Sequence, residues 1–184
     1  MKALLDACVL YPTVLRQILT GVAGAGLFCP LWSERILEEW ARATRKLGPG
    51  AEDLARGEIA ALRAAFPAAS VAVEPGLERR LWLPDPDDIH VLAAAVAGGA
   101  DLIITFNARD FPRGALAEEG LRREDPDQFL RALFRNAPER VAAVVEQVRA
   151  EAERLSGVPQ PVRALLKRAR LPRLGKALVA APHD

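Results

Sequence analysis

The stretch from Leu83 to Pro112, LPDPDDIHVLAAAVAGGADLIITFNARDFP, constrains this chain more than any other. Ile89 to Ala97 is apolar nearly all round, which predicts a helix packed over most of its circumference. Gly98 and Gly99 stop it. The run D-L-I-I-T that follows is continuously apolar, without alternation, as in a parallel strand covered on both faces. Three carboxylates, Asp85, Asp87 and Asp88, stand at the opening of the helix, and a fourth, Asp110, lies just beyond the strand. In open α/β sheets ligands gather at the carboxyl ends of strands, so this stretch reads as half of an acidic site.

The rest of the chain repeats the same alternation. Lys2 to Leu5 is a short apolar run ending at Asp6, read as a buried strand that presents a carboxylate at its end. Thr13 is a good N-cap for the helix V-L-R-Q-I-L-T-G-V-A-G, which Gly24 and Gly26 close. L-F-C-P-L-W predicts a brief strand, and Ser33 caps a helix whose inward stripe is Ile36, Leu37, Trp40, Ala41 and Thr44. After the turn Gly48-Pro49-Gly50 comes an amphipathic helix over 51–66, then a short strand in S-V-A-V-E-P. Strands separated by helices predict an α/β fold with a central parallel sheet flanked by helices. Beyond Pro112 an edge strand in G-L-R-R-E-D and helices starting near Pro126 and Pro138 follow. The chain is expected to divide into a domain over 1–135 and a helical, basic extension over 136–184.

At 184 residues there is ample chain for a core. The net charge of +1 points to no partner, so affinity for nucleic acid has to come from local patches. One such patch is visible: from Val158 to His183 there is no acid, while Arg163, Lys167, Arg168, Arg170, Arg173 and Lys176 are basic. The N-terminus meets Asp6 too soon for a signal-peptide core, and no apolar run approaches the ~18 residues of a membrane span. Cys8 and Cys29 are therefore expected as reduced thiols in the cytoplasm.

Four places put carboxylates where strand ends and helix starts converge: Asp6, the Glu38/Glu39 pair, the Asp85/Asp87/Asp88 clump, and Asp110. Taken singly, each has a plain structural role. Asp88 would cap a helix, Asp110 would serve a turn, and Glu38 and Glu39 would face water. Together they raise one another's proton affinity unless a cation joins them, and hard oxygen donors select Mg²⁺ or Mn²⁺. Glu39 borders the apolar stripe and is favoured over Glu38.

The runs L-L-D-A-C-V-L, I-L-E-E-W, D-D-I-H-V-L-A-A-A and I-I-T-F-N-A-R-D-F-P resemble, in this order over about 1–134, the PIN-domain ribonucleases. The likeness is greatest to toxins of VapC type from bacterial toxin–antitoxin pairs. It implies a three-layer PIN-like fold and a metal-dependent endoribonuclease. Its metal-binding and catalytic acids fall on Asp6, Glu39, Asp88 and Asp110, with Thr105, Asn107 and Asp87 in support. Cys8 departs from the Asn frequent at its position. The resemblance further implies an RNA substrate, Mg²⁺ or Mn²⁺ as cofactor, a cognate antitoxin and a tendency to homodimerise, with the basic residues at 163–176 as candidate contacts to RNA or partner. Such chemistry lowers the pKa of a metal-bound water and needs no protein nucleophile. His90 is expected as a packed histidine and His183 as part of a tail. Two other readings stay open, a metal-free PIN-like binding module and a metal-dependent phosphatase of another acidic α/β fold. Against the second, position 8 is Cys, so the D-x-D signature is absent.

Overall fold

The computed structural model describes residues 1–180, so His183 lies outside the described residues. The strands are β1 (Lys2–Leu5), β2 (Cys29–Ser33), β3 (Ser70–Val71), β4 (Leu102–Ile104) and β5 (Arg122–Glu124). The helices are α1 (Ala7–Leu10), α2 (Thr13–Gly24), α3 (Glu34–Ala43), α4 (Ala51–Ala65) and α5 (Ile89–Ala97). They continue as α6 (Arg113–Glu118), α7 (Pro126–Asn136), α8 (Pro138–Ser156), α9 (Val162–Arg168) and α10 (Pro172–Ala180). Chain contacts divide them into two compact units, one of residues 1–11 with 28–124, the other of 12–27 with the chain from Asp125 onward.

The first unit is the expected parallel α/β structure. Its five strands run parallel in the order β3-β2-β1-β4-β5, with β1 and β4 in the interior. Leu4 pairs with Ile103 and Leu5 with Ile104, and all four are fully buried, which explains why these strands read as unbroken apolar runs. The register brings the residues after β1 and β4 side by side: the Asp6 amide donates to the Ile104 carbonyl at 3.2 Å. Ser33 caps α3 as its side chain accepts from the Ile36 amide at 3.3 Å. Helix α5 is buried from His90 to Ala95. Its end packs so closely that a Cβ on Gly98 would lie 2.9 Å from both Leu31 Cδ1 and Val71 Cγ2.

The second unit is helical: α2 with α7, α8, α9 and α10. Helix α2 lies against α8, and a Cβ on Gly21 would stand 2.5 Å from Val144 Cγ1, so the contact demands glycine. Pro12, and not Thr13, occupies the N-cap of α2, which leaves that helix without a side-chain cap. Asp127 is buried, and its carboxylate accepts from the amides of Arg173 and Leu174 at 2.8 and 2.9 Å, capping α10 from outside. The expected division between 135 and 136 falls inside this unit. Because α2 pairs with α8, membership here follows apolar faces and not order in the sequence.

Two short helices, α1 and α6, form in stretches to which the sequence pattern assigned no element. Cys8 and Cys29 are both free thiols. Among the described residues no helix is long and apolar enough to cross a membrane.

Candidate functional site

The carboxyl end of the first unit's sheet assembles the site. Asp6 follows β1 and is 4% exposed. Its Oδ2 accepts from the Thr105 hydroxyl at 2.6 Å and from the Cys8 thiol at 3.0 Å. Thr105, just past β4, is held in turn by the Asn107 amide, which donates to its Oγ1 at 2.9 Å. Cys8 also accepts from the Phe106 amide at 3.3 Å. Burial, and then the negative charge of Asp6, push the Cys8 thiol up to about 12, so it keeps its proton as donor. The thiol thus makes the bond to the first carboxylate for which an amide side chain is usual in the family resemblance.

Asp85, Asp88 and Asp110 each offer a carboxylate oxygen, and these three oxygens lie within 4.8 Å of one another. Asp88 is not the helix cap its position suggested, because its side chain makes no cap bond to α5. Asp85 caps instead, accepting from the Asp87 amide at 2.9 Å ahead of a 3₁₀ turn over Pro86–Asp88. Burial first, then the charges of Asp6, Asp110 and Asp85, push Asp88 up to about 6; His90 acts the other way. A carboxyl in this state marks a place where burial and neighbouring negative charge act together. The donor set fits a divalent cation such as Mg²⁺ or Mn²⁺. The donors are hard oxygens gathered within 4.8 Å of one another, as such ions prefer.

The glutamates of α3 part company. Glu38 lies on the surface under Arg42 and Arg56, whose bonds hold its carboxyl down to about 2. Glu39 accepts from His90 Nε2 at 2.8 Å, with Arg35 at 3.5 Å. It is not one of the three clustered acids. Asp87 is exposed and contributes only its backbone to the turn, and Asn107 likewise acts through its amide. Of the residues singled out in sequence, the fold brings Asp88 and Asp110 together with Asp6 near, and ties Thr105 to Asp6. Asp85 and His90 are the additions. The D-x-x-D spacing of Asp85 and Asp88 was the signal for the first, since a 3₁₀ turn has three residues per turn and stacks positions i and i+3.

The basic candidates belong to the helical unit. Arg163, Lys167, Arg168, Arg170, Arg173 and Lys176 are all exposed. Arg163, Lys167 and Lys176 line an apolar groove of about 540 Å³ with Pro161, Ala164 and Pro172. Arg168 is bonded to Gln160.

Comparison with known proteins agrees with this geometry at the level of family. Neither the curated proteins nor the solved structures searched contain a match to the chain. The PIN domain family matches residues 2–109, more than half of the 184 residues. The chain belongs to the PIN-domain family, a family of nuclease-type proteins that typically depend on a divalent metal ion.

Proposed function

We propose that this protein is an endoribonuclease dependent on Mg²⁺ or Mn²⁺, and that it is the toxin of a VapC-type toxin–antitoxin pair. The observation that carries the catalytic reading is the approach of Asp85, Asp88 and Asp110 within 4.8 Å, beside Asp6, in a PIN domain. The toxin role rests on the sequence resemblance. Asp6, Asp88 and Asp110 hold the cation, Asp85 joins them, and Glu39 completes the set from α3. A bound divalent cation supplies a hydroxide-like water at neutral pH and charge for the phosphate oxygens. The chain's own residues do the rest. Thr105 and Cys8 both bond Oδ2 of Asp6, which restrains the carboxylate's rotation. Asp88 and Asp110 are half-buried, which strengthens their hold on a cation.

In the same reading residues 1–135 are the nuclease domain, and the basic helices of 136–184 contact RNA phosphates or the antitoxin. Substrate RNA would be read by shape and short context more than by long sequence. The purified protein is expected to degrade RNA only when Mg²⁺ or Mn²⁺ is present, and Asp6→Asn or Asp88→Asn to abolish cleavage while the fold is kept. Undiminished cleavage by both variants sinks the site. Sequencing RNA ends after controlled expression identifies the cut, and rescue of growth by the product of a neighbouring reading frame tests the toxin role. Charge reversal at Arg163, Lys167 and Lys176 should weaken RNA binding and flatten its salt dependence.

A further inference from the structure

His90 is a buried polar group for which the scheme above has no use. It sits in the first turn of α5, two residues past Asp88, and is 3% exposed. Nε2 donates to Glu39 Oε1 at 2.8 Å, whereas Nδ1 is buried without a hydrogen-bond partner. The ring's whole polar bonding is therefore spent on one carboxylate oxygen. The donation assigns the proton to Nε2. Leaving the other nitrogen unpartnered is a cost that a histidine kept only for packing would not require, since an apolar side chain fills such a place without it.

Glu39 has little else to hold it. Its carboxylate is 39% exposed, and its other cation is Arg35, one turn back on α3, at 3.5 Å; that arginine is itself half exposed and also reaches Glu78 at 3.8 Å. Freed from His90, the Glu39 side chain would turn to water and to Arg35. Held by His90, it stays beside the start of α5, where Asp88 stands. Asp88 is the N-cap residue of α5, two positions before the imidazole that Glu39 meets.

We propose that His90 is a positioning residue: through its Nε2–H it holds the carboxylate of Glu39 toward the Asp85, Asp88 and Asp110 group, so that Glu39 is in place when the cation enters. The proposal rests on the reading of Glu39 as a ligand. Outer partners of this kind commonly change metal affinity or activity by about 10–100-fold when removed.

Two amide substitutions in the full chain separate positioning from packing. In His90→Gln the amide nitrogen takes the place of Nε2, while in His90→Asn it reaches only as far as Nδ1. Both bury an uncharged amide in the same helix. Mn²⁺ affinity, followed by the electron paramagnetic resonance of free Mn²⁺, should fall by about tenfold or more in His90→Asn and by less than about threefold in His90→Gln. RNA cleavage should follow, with kcat reduced in His90→Asn and KM little changed. Equal affinities in the two variants, or native affinity in a folded His90→Asn, overturn the proposal. In a Glu39→Gln background His90→Asn should add no further loss, and an added loss means that His90 acts elsewhere. Glu39→Gln alone tells the two readings apart. Native Mn²⁺ affinity in that variant removes Glu39 as a ligand and the proposal with it. Lost affinity there, with native affinity in His90→Asn, removes only the role of His90. The wild-type protein gives a test that needs no variant to fold: with ¹⁵N-labelled histidine, Mg²⁺ should shift the His90 Nε2 resonance and leave Nδ1 nearly unmoved. A stationary Nε2 at saturating Mg²⁺ overturns the proposal.

Discussion

Glu38 on α3 and Asp88 at the start of α5 stand in two opposite electrostatic regimes. On the Glu38 side, facing α4, Arg42 and Arg56 bond Glu38, and Arg45 and Arg56 bond Glu52. These bonds hold both carboxyls down to about 2. At the carboxyl end of the sheet, burial and three other carboxylates push Asp88 up to about 6. The first region carries its own cations and is complete. In the second the acids press on one another, and their charge is balanced only when a cation comes from outside. Counting acids would not distinguish the two, but the direction in which their proton affinities move does.

The largest effect should come from removing an acid of the crowded group. Asp88→Asn is expected to reduce RNA cleavage by about a thousandfold or more, since a ligand and its charge are lost together. The same change relieves repulsion, so without metal the variant should melt no lower than wild type. A cleavage assay with Mn²⁺, paired with a thermal melt in chelator, checks both halves. An Asn variant that unfolds would show that the carboxylate serves the fold, and the contrast between the regions would collapse.

Next in size is the response to metal as pH changes. Asp88 binds its proton more tightly in the folded state, at about 6, than the ordinary 3.8. Between these values the folded chain holds more protons than the unfolded one, so this group's contribution to stability falls as pH rises. The penalty is absent below the lower value and complete above the upper one. A divalent cation bound there, as proposed, would cancel it. The rise in melting temperature caused by Mg²⁺ should thus be small near pH 5 and grow to a plateau above about pH 7, and Asp88→Asn should remove that growth.

These two regimes were only partly visible in the sequence. The strand ending at Asp6, the buried helix α5 and strand β4 are set by unbroken apolar runs, and the parallel register then brings Asp6 beside Thr105. Asp88 and Asp110 stood out as acids at a helix start and beyond a strand end, and their role as ligands came from the family resemblance. Asp85 stands in the acidic clump of the sequence, but the resemblance puts the ligand at Asp88, and the sequence does not show how the chain turns at Pro86. The 3₁₀ turn there aligns 85 with 88 and sends Asp87 outward. The His90–Glu39 bond was not foreseeable, since it joins helices fifty residues apart through side-chain reach. The pairing of α2 with α8 is of the same kind: a Cβ on Gly21 would meet Val144, and only the partner helix shows why glycine stands there. Periodicity reports which face is apolar, but not what will cover it.

A third way of accommodating a carboxylate lies in the helical unit and gives a prediction of intermediate size. Asp127 is 4% exposed, and two backbone amides at the start of α10 balance it. Fixed dipoles replace a mobile cation. Asp127→Ala leaves those amides buried without an acceptor and should cost about 2 kcal/mol in urea unfolding. The Mg²⁺-induced gain in melting temperature should persist in this variant, because the acid removed is already balanced. Loss of that gain would mean that more than the crowded acids answers to metal.

The smallest effect should come from the region with most ion pairs. Arg56 bridges Glu38 and Glu52, and Arg56→Met removes the bridge while keeping an unbranched apolar chain. The groups are exposed, their attraction is screened, and ordering long side chains offsets much of it. The folded-state pKa of both glutamates is lowered, so whatever the bridge contributes is present above the ordinary carboxylate range and is lost as pH falls toward about 2. A small destabilisation at neutral pH and low salt should accordingly fade in high salt and in acid. Mn²⁺ affinity and RNA cleavage should not change. Should Arg56→Met alter Mn²⁺ affinity, the surface cations would be part of the field at the metal site, and Glu38 and Asp88 would have to be treated as one system instead of two.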